Sequence, residues 1–348
     1  MRGIAGTNGI KWQKRRRPQF LRYRQWYGII ARVRILITTL VAALAIQGMA
    51  GNYQPNAGTN AVEIVRSTWH DASRNRDLPV KLFIPKTPGG PCPVILFSPG
   101  LGSSNENYAY LGEGWGKSGL VCVFLQHPGS DPAIFKDNNP RHGAAAMREV
   151  LKEPQHILDR AQDISFAVNE LARLNSEDAA LQNRLDLSRL GIAGHSYGAG
   201  AAMICAGEGV PKVGEKYRDD RFTAAIAISP PIFPGLNFAH VRLPVLVVTG
   251  TQDAGFTRTW IFRHTIYDKI KSDGTCLVNF TGAEHFTFGD PLQPRDRAKT
   301  EKFHPLILAA STAFWDARLR NNSDAQSWLE HGGLAALMQD AGTFKMKH

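Results

Sequence analysis

The sequence predicts an α/β fold: a mostly parallel eight-stranded sheet with helices on both faces. Three observations carry that expectation. From about Ala61, short β-branched runs alternate with longer segments of helical period, the order that builds parallel sheets. In residues 158–174, Leu158, Ala161, Ile164, Ala167, Val168 and Leu171 recur at spacings of three and four, which gives one buried helical stripe. The 348 residues are 43% hydrophobic, ample for a large core and incompatible with disorder as the dominant state.

Taken in order, strands are expected near residues 62–68, 79–84, 93–97, 120–125, 190–193, 224–228, 244–249 and 277–280. The first two are separated by DASRNRD and read as an antiparallel hairpin at the sheet edge. Helices are expected at residues 106–117, 158–174, 197–206 and 257–271, with a closing pair at 306–320 and 324–338. Residues 128–155 are rich in Pro, Gly and Asn around a short helical piece at 144–151. They leave the strand ends as a lid or pocket wall, or as a surface insertion. Residues 51–348 are read as a single domain.

The net charge of +11 belongs to the leader. Residues 1–34 hold ten cations and no acid, which leaves 31 cations against 30 acids for the rest. No basic groove, and hence no nucleic-acid partner, is implied for the body. The uncharged apolar run from Ile35 to Ile46 has signal-peptide length and is short for a membrane span. Residues 1–50 are therefore read as a signal peptide or an uncleaved N-terminal anchor. Export to the periplasm or outside follows, with membrane contact only through that segment. Cys92, Cys122, Cys205 and Cys276 are scattered without metal-like spacing, so no metal site is proposed. If the chain is exported they allow one disulfide, without choosing a pairing.

The chemistry concentrates in LGIAGHSYGAGAA, residues 190–202. GHSYG follows a strand and opens a helix, the context in which G-x-S-x-G presents a serine on a sharp turn. Small residues two positions either side of Ser196 give clearance to the strand and helix backbones. A serine hydroxyl is a weak nucleophile, so this reading requires a histidine base and a carboxylate to orient it. LPVLVVTGTQDAG places Asp253 just past the end of a buried strand, and CLVNFTGAEHFTFGD places His285 in the loop after the next one. All three loops leave the same edge of a parallel sheet. The preceding segment, residues 224–240, holds no Asp or Glu, which removes the usual alternative position for the acid. Glu284 faces away if His285 faces Ser196. His195 is expected to pack or hydrogen-bond behind the turn.

An oxyanion hole needs two donors. The backbone N–H of Tyr197 is one candidate, and that of Leu101, in the glycine turn of VILFSPGLGSSNENY, is the other. Phe233, Pro234 and Phe238, beyond the sixth strand, and His127, beyond the fourth, are candidate pocket residues. Structural roles for these side chains remain open, as does a non-catalytic binding protein on the same fold.

The motifs RDLPVKLFIP, VILFSPGLGSSNENYAYLGEGWGKSGLVCVFLQHPGSD, LSRLGIAGHSYGAG, RFTAAIAISPP, LPVLVVTGTQD and GAEHFTFGD resemble those of bacterial α/β-hydrolases. The resemblance is to the group of dienelactone hydrolases and platelet-activating-factor acetylhydrolases, over residues 74–290. It implies an α/β-hydrolase fold and cofactor-free hydrolysis of a small or lipid-like carboxylic ester. In that pattern Ser196 is the nucleophile, Asp253 the acid and His285 the base, with Leu101 and Tyr197 as backbone donors. Two positions depart from it. Dienelactone hydrolases use a cysteine where this chain has Ser196, so lactone specificity does not carry over. Many relatives have a histidine where this chain has Pro99, and the PGL form is also similar to polyester-degrading cutinases. Thioesterase, peptidase and acyltransferase chemistry on the same three residues stay open.

Overall fold

The computed structural model describes residues 53–55, 58–87, 89–135, 139–233, 235–254, 260–291 and 296–348. The leader, its apolar run and Pro234 lie outside them. Among the described residues nine strands form one sheet: β1 (Val62–Asp71), β2 (Arg76–Pro85), β3 (Cys92–Ser98), β4 (Val121–Leu125), β5 (Leu185–His195), β6 (Phe222–Ile228), β7 (Val245–Gln252), β8 (Cys276–Glu284) and β9 (Gly342–Met346). Their order is β1-β2-β4-β3-β5-β6-β7-β8-β9. The run from β4 through β3 to β8 is parallel, and β1, β2 and β9 add antiparallel edges.

The expectation of eight strands is corrected to nine. GTFKM pairs with β8 through Cys276–Met346 to Phe280–Gly342, and closes an edge that would otherwise present open backbone groups. Five residues alternating between half-buried and exposed carry too little pattern to stand out beside a helical pair.

The helices are α1 (Ala109–Lys117), α2 (Pro140–Lys152), α3 (Gln155–Glu177), α4 (Tyr197–Cys205), α5 (Trp260–Lys269), α6 (Arg297–Leu319), α7 (Ser323–Glu330) and α8 (Gly333–Met338). The expected final helix is split into α7 and α8 at Gly332, whose φ of 83° is outside the helical range. Residues of α3, α4 and α5 pack on one face of the sheet, and those of α1, α6, α7 and α8 on the other. The six stripe residues, Leu158, Ala161, Ile164, Ala167, Val168 and Leu171, are all buried in the core between α3, the sheet and α4. This sandwich buries the central strands on both faces, which is why β3 and β4 are buried throughout and apolar up to Ser98 at the end of β3.

All four cysteines are buried and unpaired. Burial pushes the thiol of Cys205 above its ordinary value and that of Cys276 up to about 12, so they act as small hydrophobes. No described helix is long and apolar enough to cross a membrane.

Candidate active site

β5 delivers its last residue, His195, directly into a turn, and α4 begins at Tyr197. Ser196 between them has φ 53° and ψ −123°, a conformation that costs a non-glycine residue about 1–3 kcal/mol. The turn is held by Ser196 N–H donating to Ile228 O at 2.9 Å and by Gly200 N–H donating to Ser196 O at 3.1 Å. Its tightness explains the flanking glycines. A Cβ on Gly194 would strike the Gly198 carbonyl, and one on Gly198 would strike the carbonyls of Ser98 and Pro99 at the end of β3. Backbone thus passes against backbone on both sides, and the serine side chain projects away from the sheet.

Three loops converge there. His285 Nε2 lies 2.9 Å from Ser196 Oγ, and His285 Nδ1 lies 2.8 Å from Asp253 Oδ1. Asp253 is fully buried and His285 is 6% exposed, so the bond between them is shielded from water, while the bond to Ser196 opens on the cavity. Ser196 Oγ is an acceptor or donor only to His285 among these contacts and sits at the floor of a cavity of about 550 Å³. The glutamate beside His285 turns outward, as expected, to accept from Lys299 Nζ at 2.5 Å.

The carboxylate is held by residues that the sequence did not single out. Thr249 Oγ1 donates to Asp253 Oδ2 at 2.9 Å, and Ser229 Oγ donates to Asp253 Oδ1 at 2.8 Å. Ser229 Oγ is also 2.7 Å from His285 Nδ1, so it sits in the angle between acid and imidazole. It follows β6, the position where an acid was sought and not found, and its φ of 48° turns it toward β7. The buried Arg263 guanidinium of α5 donates to the Asp253 carbonyl at 3.1 Å and lies 3.3 Å from Oδ2, while also donating to the carbonyls of Ser229 and Pro230. One cation therefore ties the loops after β6 and β7 together.

His195 lines the cavity and is 4% exposed. Its Nε2–H donates to His285 O at 3.1 Å, which leaves Nδ1 to accept from Tyr108 OH at 2.8 Å. Burial, followed by the nearby His285, holds it well below the ordinary histidine range, so it is neutral at pH 7. A neutral ring adds no competing charge beside the His285 imidazole.

Leu101 and Tyr197 both line the cavity. Neither backbone N–H is taken by an acceptor among the described residues. Phe233 lines the cavity as well, together with Phe135, Met147 and Leu151. Met147 and Leu151 come from α2, so the excursion after β4 supplies one apolar wall.

Two expected pocket residues are not there. His127 is fully buried beneath the strand ends, with Nε2 2.9 Å from Ser98 Oγ and Nδ1 3.0 Å from Asp163 Oδ2. Burial lowers it to about 4, so it is a neutral ring donating to Asp163 and accepting from Ser98. Phe238 is 5% exposed and packs into the core on the α3–α4–α5 face, with Lys269 Nζ 5.8 Å from its ring centroid. In both cases the chain leaves the strand end in the right place, and the side chain turns inward because an apolar or polar partner waits there.

A strained serine elbow at the carboxyl edge of a mostly parallel sheet with helices on both faces defines the α/β-hydrolase fold. A family model described as PET hydrolase-like matches residues 149–293, a span that contains Ser196, Asp253 and His285 and stops short of Leu101. The platelet-activating factor acetylhydrolase of Cavia porcellus is 24% identical over 291 residues, 72% of this chain and 63% of that protein. Cutinase 2 of Thermobifida cellulosilytica is 24% identical over 196 residues, 56% of this chain and 60% of its own. Cutinase cut1 of Thermobifida fusca is also 24% identical over 196 residues, covering 56% and 49%. The chain spans about half to two thirds of the length of these relatives.

Proposed function

We propose that the protein is a serine carboxylic-ester hydrolase. One observation carries the reading: an unbroken hydrogen-bonded chain runs from Asp253 through His285 to Ser196, and it ends at the floor of an apolar cavity. Relatives described as an acetylhydrolase and as cutinases support it.

In this reading Ser196 Oγ attacks the ester carbonyl while His285 Nε2 takes its proton. Asp253 accepts the Nδ1–H, which fixes the tautomer and stabilises the imidazolium as it forms. The N–H groups of Leu101 and Tyr197 donate to the oxyanion of the tetrahedral intermediate. His285 returns the proton to the departing alcohol oxygen, leaving an acyl group on Ser196. It then takes a proton from water, whose oxygen attacks the acyl carbonyl, and gives it back to Ser196 Oγ as the carboxylic acid leaves. The apolar wall of Phe135, Met147, Leu151 and Phe233 suits an apolar acyl or alkyl group. The leader further supports export of the protein, with residues 35–46 as signal or anchor.

A fluorophosphonate probe should label the full-length protein at Ser196, with labelling abolished in Ser196→Ala. Labelling elsewhere, or none, would overturn the reading. A panel of p-nitrophenyl esters, thioesters and anilides then ranks ester hydrolysis against the other chemistries open to the same three residues.

A further inference from the structure

Arg160 on α3 is fully buried, yet nothing in catalysis as described uses it. Its guanidinium divides its hydrogen bonds between the backbone of the oxyanion turn and Ser130 in the loop after β4. Nη1 donates to Pro99 O at 2.5 Å, and Nη2 donates to Gly100 O at 3.3 Å and to Ser130 O at 2.9 Å. Nε donates to Ser130 Oγ at 2.7 Å, and Ser130 O in turn accepts from Gly102 N–H at 2.9 Å. The turn is therefore gripped on both sides of Leu101. The same guanidinium lies over the Tyr197 ring, its Cζ 5.0 Å from the ring centroid.

These contacts bear on direction. The peptide linking Gly100 and Leu101 is planar, and in a trans peptide the C=O and N–H point opposite ways. Holding Gly100 O toward α3 therefore turns the Leu101 N–H away from α3, toward the cavity that Leu101 lines. Tyr197, whose N–H is the second donor, is the residue beneath the guanidinium. Burial brings Arg160 down to about 10, so it remains a cation at neutral pH. Ser98, one residue upstream, is pinned separately through the His127–Asp163 pair, and Asp163 sits one turn beyond Arg160 on the same helix.

We infer that Arg160 is the positioning residue of the oxyanion hole: one guanidinium, gripping the Pro99 and Gly100 carbonyls and lying over the Tyr197 ring, aims both backbone donors at one point. The inference rests on the serine-esterase reading. A lysine cannot replace it, because a point ammonium lacks the planar fork that spans several carbonyls and stacks on a ring.

The test measures p-nitrophenyl acetate hydrolysis by full-length Arg160→Met and Arg160→Lys, with kcat expressed per site titrated to completion by fluorophosphonate, so that misfolded molecules drop out. Misaimed donors should lower kcat about 100-fold in Arg160→Met and about tenfold in Arg160→Lys, with KM within about threefold of wild type. A trifluoromethyl ketone, which forms an oxyanion on Ser196, should lose affinity by the same factors. If Arg160→Met does not fold, Arg160→Lys and Ser130→Ala carry the test, the latter expected to lose about threefold in kcat by freeing Nε. A per-site kcat within about 1.5-fold of wild type in the folded Arg160 variants would overturn the inference and show that Arg160 serves only stability. Failure of the wild type to react with the fluorophosphonate would instead overturn the esterase reading, and the inference with it.

Discussion

The two nitrogens of His285 meet opposite surroundings. Around Nδ1 lies a closed set of polar groups in which Ser229, Thr249 and Arg263, all buried, meet the buried Asp253 carboxylate. Around Nε2 lie the partly exposed Ser196 and a cavity walled by Phe135, Met147, Leu151 and Phe233. The difference separates two jobs. In the proposed esterase the closed side would hold the imidazole in one tautomer for every substrate, whereas the open side would meet whatever acyl group enters. Changes on the closed side should therefore alter the rate for all esters alike, and changes on the open side should alter their ranking.

The sharpest way to break the closed side is Asp253→Asn. The amide can present an N–H to Nδ1, which shifts the imidazole proton to Nε2 and leaves no base for Ser196. The kcat for every ester should fall about 10⁴-fold, with little change in KM. A loss confined to some acyl chains would argue against the tautomer role.

The second test concerns stability on the scaffold beneath the oxyanion strand. His127 is held down to about 4 against an ordinary 6.5, so below pH 6.5 the unfolded chain takes a proton that the fold refuses. Stability is full above that point and falls as pH drops toward 4, by about 3 kcal/mol for this group. Burial alone would raise Asp163, but hydrogen bonds and charge from His127 and Arg76 bring it to about 2 against 3.8. Its contribution is therefore present above 3.8 and is lost between there and 2. Urea midpoints measured from pH 8 to 4 should show the decline, and His127→Asn should flatten it. A dependence unchanged by that substitution would place the titrating group elsewhere.

Ser229→Ala removes one donor to Asp253 and the hydroxyl beside Nδ1. About tenfold in kcat is expected across all esters, since a hydrogen bond to a charged group is worth about 1.5–3 kcal/mol and Thr249 and Arg263 remain. The smallest effect belongs to the open side. Met147→Ala should lower kcat/KM for longer acyl chains by about fivefold and leave p-nitrophenyl acetate within about twofold, because only a large substrate reaches that wall. An equal loss for acetate would mean that α2 supports the hydrogen-bonded residues as well as the cavity.

The same division governs what could be read in the sequence. Ser196, Asp253 and His285 each stand beyond an apolar strand in a glycine-marked turn, so local pattern and chain order were enough to put them at one sheet edge. Ser229, Arg263 and Arg160 have no such mark. A serine before two prolines, or an arginine on a helix, becomes informative only when packing shows which carbonyls and carboxylates it meets. His127 and Phe238 illustrate the converse, since a loop at the correct edge does not reveal whether its side chain turns up to the cavity or down into the core. The eight longer strands were legible from their apolar runs, whereas β9 was not, because an edge strand of five residues takes its stability from pairing with β8.

Covalent catalysis by this site requires that Ser196 carry the acyl group during turnover. Full-length protein quenched in acid while hydrolysing p-nitrophenyl acetate, then digested and read by mass spectrometry, tests it directly. An acetyl group is expected on the peptide containing Ser196, at that residue, with neither adduct nor turnover in Ser196→Ala. Turnover that persists in Ser196→Ala, or an acetyl group carried by another residue in its place, would contradict it.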